Sequence, residues 1–175
     1  MKNNTKKICI NALGIALFVV LTMCVQVPIF ENYYICLGYI VMALYCYMFG
    51  PFSGTLVGCA GVIIYCLLTG GINGMPGWAA GNLVIGILFG LACKLTSKMN
   101  NNTFRYVILV VTIVVSTAVG IIGVKSLVEV VLYAHPFIIR VAKNMTAFIA
   151  DIVTLIISLP ICAGLKPMLE KQLKI

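Results

Sequence analysis

Apolar residues run along this chain in long blocks, and polar residues are confined to short breaks between them. The leader MKNNTKK opens into an apolar block that predicts a first helix over about 6–27. This block is longer than a signal-peptide core and no small-residue cleavage site is evident, so it reads as a helix of the protein itself. "VPIFENYY" (27–34) breaks the pattern. The next blocks predict helices over about 36–49 and 55–68, separated by the Gly/Pro turn "GPFSG" (50–54). "TGGINGMPG" (69–77), with four glycines, reads as a loop. Helices are expected over about 78–95 and 104–124, with polar "TSKMNNNT" (96–103) between them. "KSLVEVVLYAHPF" (125–137) reads as a mixed connection, with Lys125 at an exposed helix end. A last helix is expected over about 138–165, before Lys166, Lys171 and Lys174.

A helix needs about 20 apolar residues to cross a bilayer. The pattern therefore predicts an all-α integral membrane protein, a six-transmembrane-helix bundle forming one membrane domain over 1–175. The second and third helices are short for a span and read as tilted or partly re-entrant.

Composition sharpens this. The chain is 62% hydrophobic and 9% charged, with a mean hydropathy of +1.14, against roughly 25% charged residues in soluble domains. A net charge of +8 would ordinarily suggest nucleic acid. Here the basic residues sit at the ends of apolar blocks, where they report topology instead, and no nucleic-acid partner is expected. Six crossings put both termini on one side, with Lys2, Lys6, Lys7, Lys94, Lys98, Arg105, Lys166, Lys171 and Lys174. The other side holds Lys125, Arg140 and Lys143. The positive-inside rule makes the richer side, and both termini, cytoplasmic, and places the loops at 27–35, 69–77 and 125–140 outside. The eight cysteines include no CxxC pair and mostly fall inside apolar runs, where they read as small apolar fillers.

One segment departs from the apolar pattern. In "RVAKNMTAFIADIV" (140–153), Arg140, Lys143, Asn144, Ala147 and Asp151 fall within an arc of about 100°, and Thr154 and Ser158 continue it. Asp151 lies about 16 Å along the helix from Arg140, at membrane depth, so this face should point into the bundle or a cavity. Two readings stay open. Arg140 and Lys143 can anchor the helix at outer headgroups by snorkelling, with Asp151 a buried acid paired to Lys143. Alternatively Arg140, Lys143 and Asn144 reach a ligand. The outer segments also carry Tyr34, Trp78 and, in the glycine-rich loop, Asn73. Interfacial aromatics often form only a belt. Beside a polar helix head and a glycine-rich loop they could line an outward-facing pocket. The Arg140/Lys143 pair favours a ligand with an anionic or carbonyl-rich part, and the aromatics favour a flat ring.

Several chemistries lack their residues. No GxxxxGK[ST] run is present, so a P-loop for ATP is not expected. A single histidine, His135, cannot form a zinc site with scattered cysteines and reads as a loop residue before Pro136. Ser53 is expected on the opposite side from His135, so the two form no catalytic dyad. Catalysis, cofactors and metals are not expected. A proton-coupled carrier would want several buried acids, and no clear inverted repeat is visible.

Four stretches taken in order resemble the substrate-binding S components of energy-coupling factor (ECF) vitamin transporters. They are "NALGIALFVVLT", "LGYIVMALYCYMFGPFSGTLVGCAGVIIYCLL", "GWAAGNLVIGILFGLACKL" and "RVAKN". The resemblance covers nearly the whole length and lies nearest the branch handling riboflavin, pyridoxine, hydroxymethylpyrimidine, folate and similar substrates. It implies that a vitamin or precursor is bound on the outer face, while an ECF transmembrane coupling subunit and two cytoplasmic ATPases drive its delivery inward. It also implies that the family's small-residue contact with the coupling subunit falls on Ala12 and Ala16. These lie about 40° apart on one helix face, which suits close helix approach or equally ordinary internal packing. Gly54, Gly58 and Gly61 are expected to serve packing within the bundle. The rival readings are a membrane-embedded structural or assembly protein without a ligand, and a stand-alone small-solute carrier.

Overall fold

The computed structural model describes residues 2–24, 26–30, 33–99, 101–134 and 136–173, with side chains described at 5–24, 36–99, 101–134, 136–169 and 171. Helix α1 (Lys2–Cys24) leads into an antiparallel ribbon of β1 (Gln26–Phe30) and β2 (Tyr33–Cys36). The segment expected to be an irregular break is thus a hairpin, with Val27 opposite Ile35 and a register shift between Pro28 and Phe30. Six more helical segments follow: α2 (Gly38–Phe49), α3 (Pro51–Thr69), α4 (Met75–Thr96), α5 (Asn102–Thr117), α6 (Ser126–Tyr133) and α7 (Phe137–Leu173). A π-helical stretch, Ala118–Lys125, joins α5 to α6.

Local chemistry explains the boundaries. Gly50 alone turns the chain at φ 90°, and Pro51 starts α3 at a position where its missing N–H costs nothing. The expected five-residue break at "GPFSG" is therefore one residue wide, and α3 reaches span length. Pro76 likewise sits in the first turn of α4, which begins at Met75, three residues before the expected start. Asn101 caps α5 by accepting from the backbone N–H groups of Thr103 and Phe104 at 3.1 and 3.3 Å.

The larger correction concerns 125–137. The segment is helical through Tyr133, so α5, the π stretch and α6 form one helical column of 32 residues. Five helical stretches are long and apolar enough to cross a membrane: Thr5–Cys24, Pro51–Thr69, Met75–Thr96, Asn102–Tyr133 and Phe137–Leu169. The sixth expected crossing, α2, has 12 residues and is about 18 Å long, short of the roughly 30 Å hydrocarbon core.

The core forms where α2, α3 and α4 meet the middle of α5 and α7, around Tyr39, Met42, Phe89, Ile113 and Leu155. The α3 glycines serve this contact: a Cβ at Gly54 would strike Cys46, at Gly58 Met42, and at Gly61 Phe18. Cys36, Cys46, Cys66, Cys93 and Cys162 are buried, and all eight cysteines are free thiols. The outer faces of the helices expose many large apolar side chains, among them Leu13, Leu67, Val111 and Ile138, as a lipid-facing surface requires.

Candidate functional site

The polar stripe on α7 faces inward, as its periodicity predicts. Asn144, Asp151, Thr154 and Ser158 are all buried. Thr154 and Ser158 satisfy themselves on their own helix, bonding the carbonyls of Ala150 and Leu155. Asn144 instead reaches across to α6, where its Nδ2 donates to Ser126 Oγ at 3.0 Å and to Glu129 Oε2 at 3.2 Å. Arg140, one turn before Asn144, approaches the same carboxylate oxygen at 3.8 Å. These contacts form the floor and one wall of a cleft of about 250 Å³, lined by Asn73, Gly74, Glu129, Tyr133 and Arg140. The glycine-rich turn, α6 and the head of α7 thus meet at one end of the bundle.

A second polar layer lies below. The charge of Lys125 acts on both Glu129 and Asp151. Gly77, in the first turn of α4, makes room for this group: a Cβ there would stand 3.0 Å from Glu129 Cγ and 3.2 Å from Lys125 Cγ. Asp151 lies beside the Tyr39 hydroxyl. Tyr39 donates to Asn82 Oδ1 at 2.7 Å and accepts from Trp78 Nε1 at 3.0 Å, and Asn82 Nδ2 donates to the Gly58 carbonyl at 3.1 Å. Trp78 also meets Tyr65 edge-on, with centroids 5.7 Å apart.

Of the residues singled out from sequence, Arg140 and Asn73 come together at the cleft, and Asn144 braces it from behind. Trp78 is half-buried, with its ring N–H committed to Tyr39 instead of projecting from a loop. Lys143 is exposed and does not line the cleft. Its expected pairing with Asp151 gives way to Lys125 and Tyr39 as the neighbours of that acid. Lys125 is not an exposed helix end, because the helix continues past it. Tyr34 pairs with Pro28 in the ribbon, and its side chain lies outside the described residues, as does His135. Ala12 and Ala16 are exposed on α1, flanked by exposed Leu13 and Leu17. The opposite face of α1 packs inward, where Gly14 abuts Tyr45 and Val57.

Sequence reasoning missed Glu129, Ser126, Tyr39 and Asn82. A signal existed for Glu129, because Lys125 and Glu129 are an i, i+4 pair of opposite sign in an otherwise apolar run. Chemically the arrangement offers hydrogen-bond donors, acceptors and one loose ion pair in a confined space, which suits reversible binding. A second hollow, about 500 Å³ between α4 and α5, is lined by Leu88, Leu91, Leu95, Ile108, Val111 and other apolar or small polar residues, and carries no charge.

Residues 2–167 match the family described as "ECF-type riboflavin transporter, S component". The chain is similar to the UPF0397 protein YdcD of Lactococcus lactis subsp. lactis, with 31% identity over 147 residues, covering 78% of this chain and 76% of that protein. A UPF0397 protein of Aliivibrio salmonicida is 29% identical over 143 residues, with the same coverage. A UPF0397 protein of Streptococcus thermophilus is 36% identical over 97 residues. That match spans 54% of this chain and about half, 52%, of the relative.

Proposed function

The chain belongs to the family of ECF-type riboflavin transporter S components, and from that premise we propose that it captures a water-soluble vitamin or vitamin precursor at the outer face of the cell membrane. This is a transporter family and not an enzyme family. In this reading the Arg140–Glu129 cleft is the capture site, with Asn73 and Tyr133 on its walls and Asn144 and Trp78 holding the layer behind it. Tyr34, on the ribbon, is assigned to the same site. Lys143, exposed one turn below Arg140, keeps the headgroup-anchor role. Both termini are cytoplasmic, in keeping with the distribution of Lys and Arg. The ribbon and α2 together supply a sixth crossing. Ala12 and Ala16 meet an ECF transmembrane coupling subunit, and two cytoplasmic ATPase subunits supply the energy, in keeping with a chain that carries no P-loop sequence.

The observation that carries the proposal is the cleft itself. Among the described residues it is where the stripe on α7, the glycine-rich turn and a buried acid converge, and it lies in a chain whose family works as specificity subunits. The test is affinity purification of the full-length chain from its own host membrane in mild detergent. The expected result is co-purification of a membrane coupling subunit and ATPases, with a small molecule of vitamin class released on denaturation and identified by mass spectrometry. Recovery of the chain alone, without small molecule or ATPase, would favour a structural or assembly protein. A retained solute without ATPase would favour a stand-alone carrier.

A further inference from the structure

The hollow between α4 and α5 lies apart from the capture cleft and shares no lining residue with it. Its apolar walls are Leu88, Leu91 and Leu95 of α4 and Ile108, Val111 and Val115 of α5. The three hydroxyls that also line it are already satisfied on their own helices. Thr96 donates to the Ala92 carbonyl at 2.7 Å, Thr112 to Ile108 at 2.8 Å and Ser116 to Ile113 at 3.2 Å. Nothing inside therefore asks for a polar guest. The α5 wall, residues 108–116, covers about 12 Å at 1.5 Å per residue. That approaches the depth of one leaflet, half of the roughly 30 Å hydrocarbon core. A volume of about 500 Å³ holds on the order of 15 groups of about 30 Å³, the share of a water molecule and close to that of a methylene.

The hollow has one basic end. Where α4 gives way to α5, Thr96 and Met99 line it. The stretch 94–112 carries Lys94, Lys98 and Arg105 and no Asp or Glu. Lys98 is exposed beside Met99. Arg105, Ile108 and Thr112 follow one another at i, i+3 and i+7, so the arginine sits on the hollow's side of α5, one turn nearer the end. Its guanidinium stacks on Tyr47, 4.8 Å from the ring centroid. Its buried Nε–H has no hydrogen-bond partner, and it makes no ion pair among the described residues. The first turn of α5 adds the positive end of the helix dipole. Asn101 already occupies the N–H groups of Thr103 and Phe104, so an anion here meets side chains. Exposed Phe104 and Tyr106 flank Arg105, as aromatics do at headgroup level.

An apolar trough one leaflet deep that ends in cations matches the form of a lipid, chain inside and phosphate at the end. We propose that the α4–α5 hollow seats an acyl chain of an anionic phospholipid, whose phosphate is held by Arg105 and Lys98. A zwitterionic lipid brings its own cation to the same place and is disfavoured there. A helix of another protein would cover the walls and leave the cations without an anion. In the orientation proposed above, this lipid belongs to the cytoplasmic leaflet.

The experiment offers the full-length chain, purified in mild detergent, equimolar phosphatidylglycerol and phosphatidylcholine with identical acyl chains, and counts bound lipid by native mass spectrometry. One phosphatidylglycerol is expected to be retained about tenfold or more over phosphatidylcholine, since a hydrogen bond to a charged group is worth at least that factor. Arg105→Gln combined with Lys98→Gln should reduce the preference to less than about threefold. Val111→Trp, whose indole fills the hollow, should release both lipids. Lys143→Gln, at the opposite end of the bundle, should leave the preference as it is. Glycerol 3-phosphate, a headgroup without chains, should not displace the bound lipid. Equal retention of the two lipids, an equal drop in Lys143→Gln, or lipid still held by Val111→Trp would each overturn the proposal. Displacement by glycerol 3-phosphate would overturn it in favour of a plain phosphate site. Loss of coupling subunit and ATPases from Val111→Trp, with lipid still bound, would overturn it in favour of a protein interface. The two-lipid comparison on the unmodified chain decides the matter even where the Arg105 variant fails to fold.

Discussion

Gly81 and Gly120 face each other across the crossing of α4 with the π-helical stretch, so closely that a Cβ on Gly120 would stand 2.8 Å from the Gly81 carbonyl oxygen. The reverse substitution would bring a Cβ on Gly81 to 3.0 Å from the Gly120 carbonyl. Two backbones in contact leave nothing flexible to yield. Gly120→Ala should therefore lower stability by about 1–3 kcal/mol, the usual cost of overpacking. Gly123→Ala, in the same stretch but with open space around it, should cost far less. Melting temperatures in one detergent would check both, and equal effects would mean that the crossing is not the constraint.

Asn82 is fully buried and holds two helices at once, accepting from Tyr39 and donating to the Gly58 carbonyl. Asn82→Ala strands both partners, at about 1–3 kcal/mol for each buried group left unsatisfied. Trp78→Phe removes a single donor from Tyr39 and should cost about 0.5–1.5 kcal/mol. The ranking, read by thermal unfolding, is the prediction, and a larger loss for Trp78→Phe would reverse it.

Arg140→Ala should weaken capture of the retained ligand by about ten- to a hundredfold, as expected for loss of a charged hydrogen bond. Lys143→Ala should change affinity by less than about threefold, because Lys143 stands exposed, away from the cleft. Calorimetric titration of the two variants with that ligand checks this. Comparable losses in both would extend the site along α7 beyond the cleft.

Ala12→Trp or Ala16→Trp should abolish uptake by whole cells while leaving ligand affinity of the isolated chain within about twofold. Both residues are exposed on the face of α1 opposite its packed side, so a large side chain there meets nothing within the chain. It would instead block close approach of another helix. Normal uptake by both variants would remove this face from the coupling interface.

Much of this architecture is legible in sequence because apolar blocks and polar stripes map directly onto helices and their faces. The stripe from Arg140 to Ser158 is the clearest case: a 100° rotation per residue places Asn144, Asp151, Thr154 and Ser158 together, and all four are buried. The partner of that stripe was hidden for two physical reasons. Lys125 and Glu129 are charged, so their segment reads as a connection, although each is stabilised by opposite charges only the fold brings near. The π stretch also shifts the register of the helix that carries them, so the inward face of α6 cannot be extrapolated from α5. The ribbon was missed because its pairing depends on contacts between 26–30 and 33–36, which no helical periodicity reports. Asn82 and Tyr39 lie singly inside apolar runs, where nothing local distinguishes a bonded polar group from a tolerated one.

The unequal lengths of the exposed helices bear on the membrane as much as on the protein. α3, which exposes Leu56, Ile63, Leu67 and Leu68, has 19 residues and is about 28 Å long, in the same bundle as a column of 32 residues, about 48 Å long, and as α7, which is longer still. The hydrophobic girdle is therefore uneven around the circumference. A bilayer of uniform thickness cannot match every flank of an upright molecule, so it thins beside α3 or the molecule leans. Each adjustment costs fractions of a kcal/mol per Å of mismatch. The resting tilt of this protein is in that sense shared with its lipids, and membranes of different acyl-chain length would set it differently.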